Sequence, residues 1–126
     1  MIAYISGHLD LTPEEFEEHY KPSIDAAIFH GNEMVVGDAR GADKMAQEYI
    51  KSIGNNVYEL VTVFHMFTNP RNNVANFKTV GGFKTDTERD EAMTAASDYD
   101  IAWVRPGREK SGTAKNIARR NGSRNQ

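Results

Sequence analysis

The chain contains no cysteine. Disulfide staples, thiolate nucleophiles and cysteine-ligated metals are therefore excluded, and an intracellular, reducing compartment suits it. No apolar run approaches the length of a membrane span. Met1 leads straight into Ile2-Ala3-Tyr4-Ile5, too short for the apolar region of a secretory leader. A soluble, cytoplasmic protein without a membrane partner is expected. The four histidines, His8, His19, His30 and His65, show no H-E-x-x-H spacing, so no metal site is expected. There is no G-x-S-x-G elbow, no Walker lysine motif and no G-x-G-x-x-G turn. The α/β-hydrolase, P-loop and standard NAD readings lose their support with them. Internal repeats and low-complexity blocks are absent, and nothing calls for a cofactor.

What is present is a chain of 126 residues, enough for one core without staples, so 1–126 reads as one domain. The net charge of −3 is unevenly placed: residues 105–126 hold seven basic residues and one acidic residue, leaving −9 on the first 104. A basic end of this kind can be a nucleic-acid arm, a phosphate clamp or a solvated helix face. Cations near a helix C-terminus are the simplest account. The acidic body would repel a duplex, which argues against nucleic acid as a partner.

The periodicity predicts a strand over 2–6. Thr12-Pro13-Glu14-Glu15 then opens a helix with an N-cap, a proline at the first position and a capping box. Pro22 should break that helix, and a second helical stretch runs on to Gly31. A strand over 33–36 follows. A helix over 42–52 carries Met45, Ala46, Tyr49 and Ile50 at helical spacing. Further elements are a strand over 57–63, a helix over 86–96, a strand over 99–104 and a last helix from Thr113 that ends in a basic tail, 121–126. The stretch 64–85 has no clear period and holds Asn69-Pro70-Arg71-Asn72-Asn73 and Gly81-Gly82. It reads as a long loop of the kind that forms lids, binding loops or oligomer contacts. Alternating strands and helices imply an α/β fold: a Rossmann-like three-layer α/β/α domain with a mainly parallel sheet of about four to five strands. Such sheets bind ligands beyond the carboxyl ends of their strands, where strand order reverses.

Two glycine-bearing turns fall at those ends. Gly37-Asp38-Ala39-Arg40-Gly41-Ala42-Asp43 follows Met34-Val35-Val36, and Ser111-Gly112-Thr113 comes after Ile101-Ala102-Trp103-Val104. Glycine permits close backbone approach, and the first amides of the next helix point outward without partners. The turns suggest an anion pocket for a phosphorylated, nucleotide-like ligand. Arg40 could fork onto a phosphate, or pair with Asp38 or Asp43. Asp43 could cap its helix or accept hydrogen bonds from ribose hydroxyls. Ser111 and Thr113 stand beside Gly112 with Arg108 and Lys110 nearby, which raises a phosphate role above plain capping. Asp90, on the helix before the last strand, could be a general base or a hydroxyl clamp, whereas Glu88 and Glu91 read as a solvated face. His8 follows the first strand directly and could reach the pocket. Ser6, Gly7, Arg40, Gly41, Ser111, Gly112 and Thr113 are expected to meet at one end of the sheet. Phe16, Tyr20, Phe67, Phe77 and Phe83 exceed what a small sheet obviously buries, which predicts a homodimer or higher homo-oligomer with the long loop at its interface.

The run Val35-Val36-Gly37-Asp38-Ala39-Arg40-Gly41-Ala42-Asp43-Lys44-Met45-Ala46 resembles the G-x-A-x-G-A-D-x-x-A signature of the YspA/YpsA-related branch of the SLOG superfamily. Arg89-Asp90-Glu91-Ala92-Met93, Asp98-Tyr99-Asp100-Ile101-Ala102 and Ser111-Gly112-Thr113-Ala114 are similar to later motifs of that family, and Tyr4-Ile5-Ser6-Gly7 to its opening. The resemblance implies a Rossmann-like domain that binds nucleotides or nucleotide-derived signals, and adds Arg89 and Asn116 to the ligand-binding candidates. Some members of the superfamily cleave N-glycosidic bonds of nucleoside monophosphates. Those enzymes look for P-G-G-x-G-T-x-x-E, and related deoxyribosyltransferases place a nucleophilic glutamate three residues after the threonine. Asn116 takes that place here. An amide can hydrogen-bond a sugar hydroxyl but cannot attack an anomeric carbon. Binding, as sensor or sponge, is thus the leading expectation, with no catalytic residue assigned. A glycosidase using Asp90 and an interaction module with a vestigial pocket are the alternatives.

Overall fold

The computed structural model describes residues 1–124, the side chains of Asn55, Ser123 and Arg124 apart. Five strands form one all-parallel sheet in the order β4-β3-β2-β1-β5. They are β1 (Ile2–Ile5), β2 (Glu33–Gly37), β3 (Val61–Met66), β4 (Lys78–Phe83) and β5 (Tyr99–Ile101). The helices are α1 (Pro13–His19), α2 (Lys21–Phe29), α3 (Ala42–Ile53), α4 (Asp86–Ala95) and α5 (Gly112–Arg124). Period-two alternation sorts the strands onto two faces. Ala3, Ile5, Met34, Val36, Val61 and Val63 enter the larger core beneath α1, α2 and α3. Tyr4, Val35 and Phe64 face the other way and meet Met93 of α4. The result is a three-layer Rossmann-like α/β fold. None of the described helices is long and apolar enough to cross a membrane.

Local chemistry explains most boundaries. Thr12 Oγ1 accepts from Glu15 N while Glu15 returns a bond to Thr12 N, closing the capping box of α1. Pro22 lies in the first turn of α2, so the chain bends at Tyr20 instead of continuing α1.

Three expectations change. The stretch 64–85 is not one loop: β3 runs to Met66, and Lys78–Phe83 adds a fifth strand on the open edge. That edge strand is exposed, contains Gly81-Gly82 and breaks register near Met66, so no burial alternation marks it in the sequence. Residues 55–60 form a 3₁₀ turn instead of the start of a strand. The last helix continues to Arg124, which replaces most of the tail expected at 121–126; residues 125 and 126 lie outside the described residues. The aromatics behind the oligomer expectation largely fold inward, with Phe16, Tyr20 and Phe77 all buried. Phe67 remains exposed.

One side chain ties the ends of two strands together. Tyr20, fully buried, donates to Ser6 O at 2.7 Å and accepts from Trp103 N at 3.1 Å. Its hydroxyl thereby joins the chain leaving β1 to the chain leaving β5. Tyr20→Phe would leave both backbone groups unpaired, so a loss of about 2 kcal/mol is expected. Urea unfolding would show it as a lower midpoint at unchanged slope.

Candidate ligand-binding site

A cleft of about 290 Å³ opens beyond the carboxyl end of β1. Strand order reverses here, because β1 has β2 on one side and β5 on the other. The loops that leave β1 and β5 therefore diverge and leave space between them. The loop after β1 supplies Ser6, Gly7, His8 and Leu9; α4 supplies Asp86, Arg89 and Asp90; the start of α5 supplies Ser111, Gly112, Thr113 and Asn116. Tyr4, Ala39, Asp43, Arg71 and Arg108 complete the lining.

Two glycines bring the first two loops together. A Cβ on Gly7 would lie 2.3 Å from Tyr20 Oη and 2.5 Å from Ala42 Cβ. Gly41 has φ +74°, and a Cβ there would lie 2.4 Å from Leu9 O and 2.5 Å from His8 O. Only glycine allows this crossing. Gly41 therefore packs the turn against the β1 loop and does not itself line the cleft. Ala42 N then donates to His8 O at 3.1 Å. His8 is buried, and its Nε2 accepts from Arg105 N at 2.9 Å, which leaves the ring proton on Nδ1. Burial, reinforced by Arg108 and Arg105, holds its pKa below the ordinary histidine value and so keeps it neutral.

The arginines are oriented by Asp38, which has no exposed surface. Arg71 gives it three hydrogen bonds: N to Oδ2 at 2.8 Å, Nε to Oδ2 at 3.2 Å and Nη2 to Oδ1 at 2.9 Å. Arg89 Nη1 adds a fourth to Oδ1 at 2.7 Å. Burial alone would raise the Asp38 pKa; the Arg71 bonds and the charges of Arg71 and Arg89 outweigh it and hold the carboxyl below its ordinary range. Arg71 Nη2 also reaches Asp86 at 2.8 Å, and Arg89 Nη2 reaches Asp90 at 3.0 Å. Asn116 Nδ2 donates to the Tyr4 hydroxyl at 3.0 Å, and Asn116 Oδ1 accepts from Arg119 Nη1 at 2.7 Å. Asn116 thus links Tyr4 to Arg119 beside the cleft.

Asp43 behaves differently. It is 7% exposed, and its Oδ2 accepts from Ala39 N at 3.2 Å. Burial is the main cause of a pKa raised to about 7; Arg89 and the Ala39 bond pull the other way, while Asp90 and Asp38 add to the rise.

The start of α5 presents free backbone donors to the cleft. Ser111 Oγ caps Ala114 N at 3.2 Å. The Gly112 and Thr113 amides have no hydrogen-bond partner among the described residues. Arg108 stands beside them, held loosely by Asp10 at 3.4 Å. Ser6 Oγ, on a residue only 5% exposed, has no partner at all among the described residues.

Of the residues expected from the sequence, Ser6, Gly7, His8, Asp43, Arg89, Asp90, Ser111, Gly112, Thr113 and Asn116 line one cleft. Gly37, Asp38, Arg40 and Gly41 do not. Gly37 is buried against the Asp43 carboxylate and Arg89. Asp38 is spent on the two arginines. Arg40 is exposed and makes no hydrogen bond or ion pair among the described residues, because the turn projects it outward. Its expected place is taken by Arg71 and Arg108. Arg71 comes from the crossover between β3 and β4, where Asn69-Pro70-Arg71-Asn72-Asn73 was its only sequence signal. Asp86 was hidden as the first residue of a well-capped helix. Tyr4 was hidden by its place in a strand whose neighbours face the core.

The chain matches no family model, no curated protein and no solved structure. The functional reading rests on the geometry of this cleft.

The proton on Asp43 has a sign that stability reports. A carboxyl whose folded pKa is raised contributes stability that is fully present below about pH 4 and is lost as pH rises through about 7. Asp43→Asn carries a permanently neutral group in its place. Between pH 5 and 8 the variant's melting temperature should therefore gain on the wild type, by about 4 °C or more if a kilocalorie is involved. Parallel melting curves across that range would contradict the assignment.

Proposed function

We propose that this protein binds a nucleotide or nucleotide-derived phosphorylated ligand, as a sensor or a sequestering protein. The observation that carries this reading is the start of α5: the Gly112 and Thr113 amides, without partners among the described residues, open into a cleft beside Arg108 and the Ser6 hydroxyl, which has no partner among them either. A helix N-terminus of this kind favours an anion by both its amides and its dipole. Arg108 is the cation best able to join it. Its hold on Asp10 is long and largely exposed, whereas Arg71 and Arg89 are already committed to carboxylates. The remaining walls, with Asp43, Asp90 and Arg89, suit the polar part of a nucleotide. The volume lies at the small end for ligand sites, which fits one nucleotide unit.

Asn116, tied to Tyr4 and Arg119, is not a nucleophile. This supports binding over glycoside cleavage. The glycosidase alternative draws on Asp43 and Asp90 facing one cleft, Asp43 with a raised pKa.

A thermal-shift panel of AMP, ADP, ATP, the guanosine equivalents and inorganic phosphate tests the proposal, because a ligand of the native state raises the melting temperature. At least one nucleotide should do so. Arg108→Ala should weaken its binding by about 1.5–3 kcal/mol, the worth of a charged hydrogen bond, and Arg40→Ala should leave it unchanged. A panel without any shift would refute the reading. Chromatography of the same mixtures should show no free base; base release abolished by Asp90→Asn would establish the glycosidase instead.

A further inference from the structure

Four carboxylates, Asp38, Asp43, Asp86 and Asp90, are gathered around two arginines, Arg71 and Arg89, at the cleft. The guanidinium bonds are not shared equally. Asp38 receives both arginines, Asp86 lies within ion-pair distance of both, and Asp90 takes Nε and Nη2 of Arg89. Asp43 forms no ion pair among the described residues and holds a single backbone bond on Oδ2. Its Oδ1 has no hydrogen-bond partner among the described residues, and the residue lines the cleft. Asp86 is exposed and can be solvated, but two cations cannot neutralise all of these anions, and the buried member with the fewest donors, Asp43, is the one that keeps its proton. A protonated carboxyl has one O–H to give. No acceptor for it stands among the described residues, and in the lining of the same cleft the buried Ser6 Oγ has no partner among them either.

Resting on the ligand reading above, we propose that Asp43 is a specificity-determining residue that donates a hydrogen bond, as a neutral carboxylic acid, to an acceptor oxygen of the bound phosphorylated ligand. This differs from both roles expected from the sequence, in which Asp43 would cap its helix or accept from ribose hydroxyls. It also ties binding to a proton on the protein. The charged and titratable groups facing Asp43 are Tyr4 on β1, Tyr20 between α1 and α2, Asp38 after β2, and Arg89 and Asp90 on α4. On the α5 side the lining residues are uncharged, apart from Arg108 in the loop before the helix. Arg89 and the Ala39 N–H favour an ionised Asp43, and a phosphorylated ligand would offset the charge of Arg89. Affinity should therefore rise as pH falls through neutrality.

The test uses the full chain. In the first arm, carboxyl-¹³C NMR follows the aspartates from pH 4 to 9, with Asp43→Asn identifying the signal of Asp43. In the second arm, calorimetry measures AMP and inorganic phosphate between pH 6 and 8.5 on wild type and Asp43→Asn. Comparing the two proteins at each pH cancels the titration of the phosphate itself. Asp43 should titrate near neutrality. Wild-type affinity for AMP should fall about tenfold more than that of the variant over this range, the equivalent of one lost hydrogen bond. The inference is overturned if Asp43 titrates with the ordinary carboxylates, if both proteins share one pH profile, or if wild-type binding tightens as pH rises. Failure of both probes to bind at any pH overturns the donor role as proposed, and the ligand reading falls with it when the whole nucleotide panel also gives no shift. A neutral-range Asp43 signal in the first arm would then place the fault in the ligand assignment, and should the variant not fold, the wild-type titration still decides the proton.

Discussion

The Asp38 carboxylate organises this molecule beyond its own position. It sits at the carboxyl end of β2 with no exposed surface, and an isolated charge there would be costly. Its four hydrogen bonds draw Arg71 from the β3–β4 crossover and Arg89 from α4 onto one centre. Backbone bonds extend the same clamp: Asn72 Nδ2 donates to Asp38 O at 2.9 Å, and Gln47 Nε2 bridges Gly37 O and Asn72 O, each at 3.1 Å. A helixless crossover, residues 67–77, is thereby held against the sheet end although it has little regular structure of its own. The crossover in turn allows β4 to pair in parallel with β3.

A second set of bonds governs the other wall. Tyr20 and His8 both reach the chain after β5, at Trp103 and Arg105 respectively. Arg105 then returns to α1 through Glu15, at 2.7 Å and 2.8 Å. Trp103 is stacked on His19 at 4.0 Å with His8 against its edge. These contacts set where the loop before α5 lies, and so where the Gly112 and Thr113 amides point. The cleft is the gap left between the Asp38 clamp and the Tyr20–His8 clamp. Its electrostatics follow from that origin: one wall is a nearly neutral lattice of arginines and aspartates, and the other is a helix N-terminus with a loosely held arginine.

The helix starts were legible because capping chemistry is local. Thr12-Pro13-Glu14-Glu15 carries its signal within four residues, and the structure places a helix there. The glycine turns were legible for the same reason. Their two glycine–loop crossings were not, because the atoms that exclude a side chain at Gly41 belong to His8 and Leu9, far away in the chain. The edge strand β4 left no pattern, since neither of its faces is buried enough to demand alternation. Arg40 and Arg71 illustrate the same limit. Both are arginines in turn-rich segments, and only the three-dimensional position of Asp38 draws one of them to the cleft while the other points to solvent.

By itself the sequence determined the alternation of strands and helices, hence the three-layer parallel fold, and the positions of the turns at the carboxyl ends of β1 and β2 and before α5. Those properties depend on interactions within a few residues and on one-dimensional periodicity. Tertiary structure alone decided which charges face one another. It set Asp38 between Arg71 and Arg89, bound Asn116 to Tyr4 and Arg119, and left Asp43 without an ion pair among the described residues. Such pairings join residues dozens of positions apart, and burial sets their strength, so the same side chains have different protonation and different chemistry depending on what the fold packs beside them.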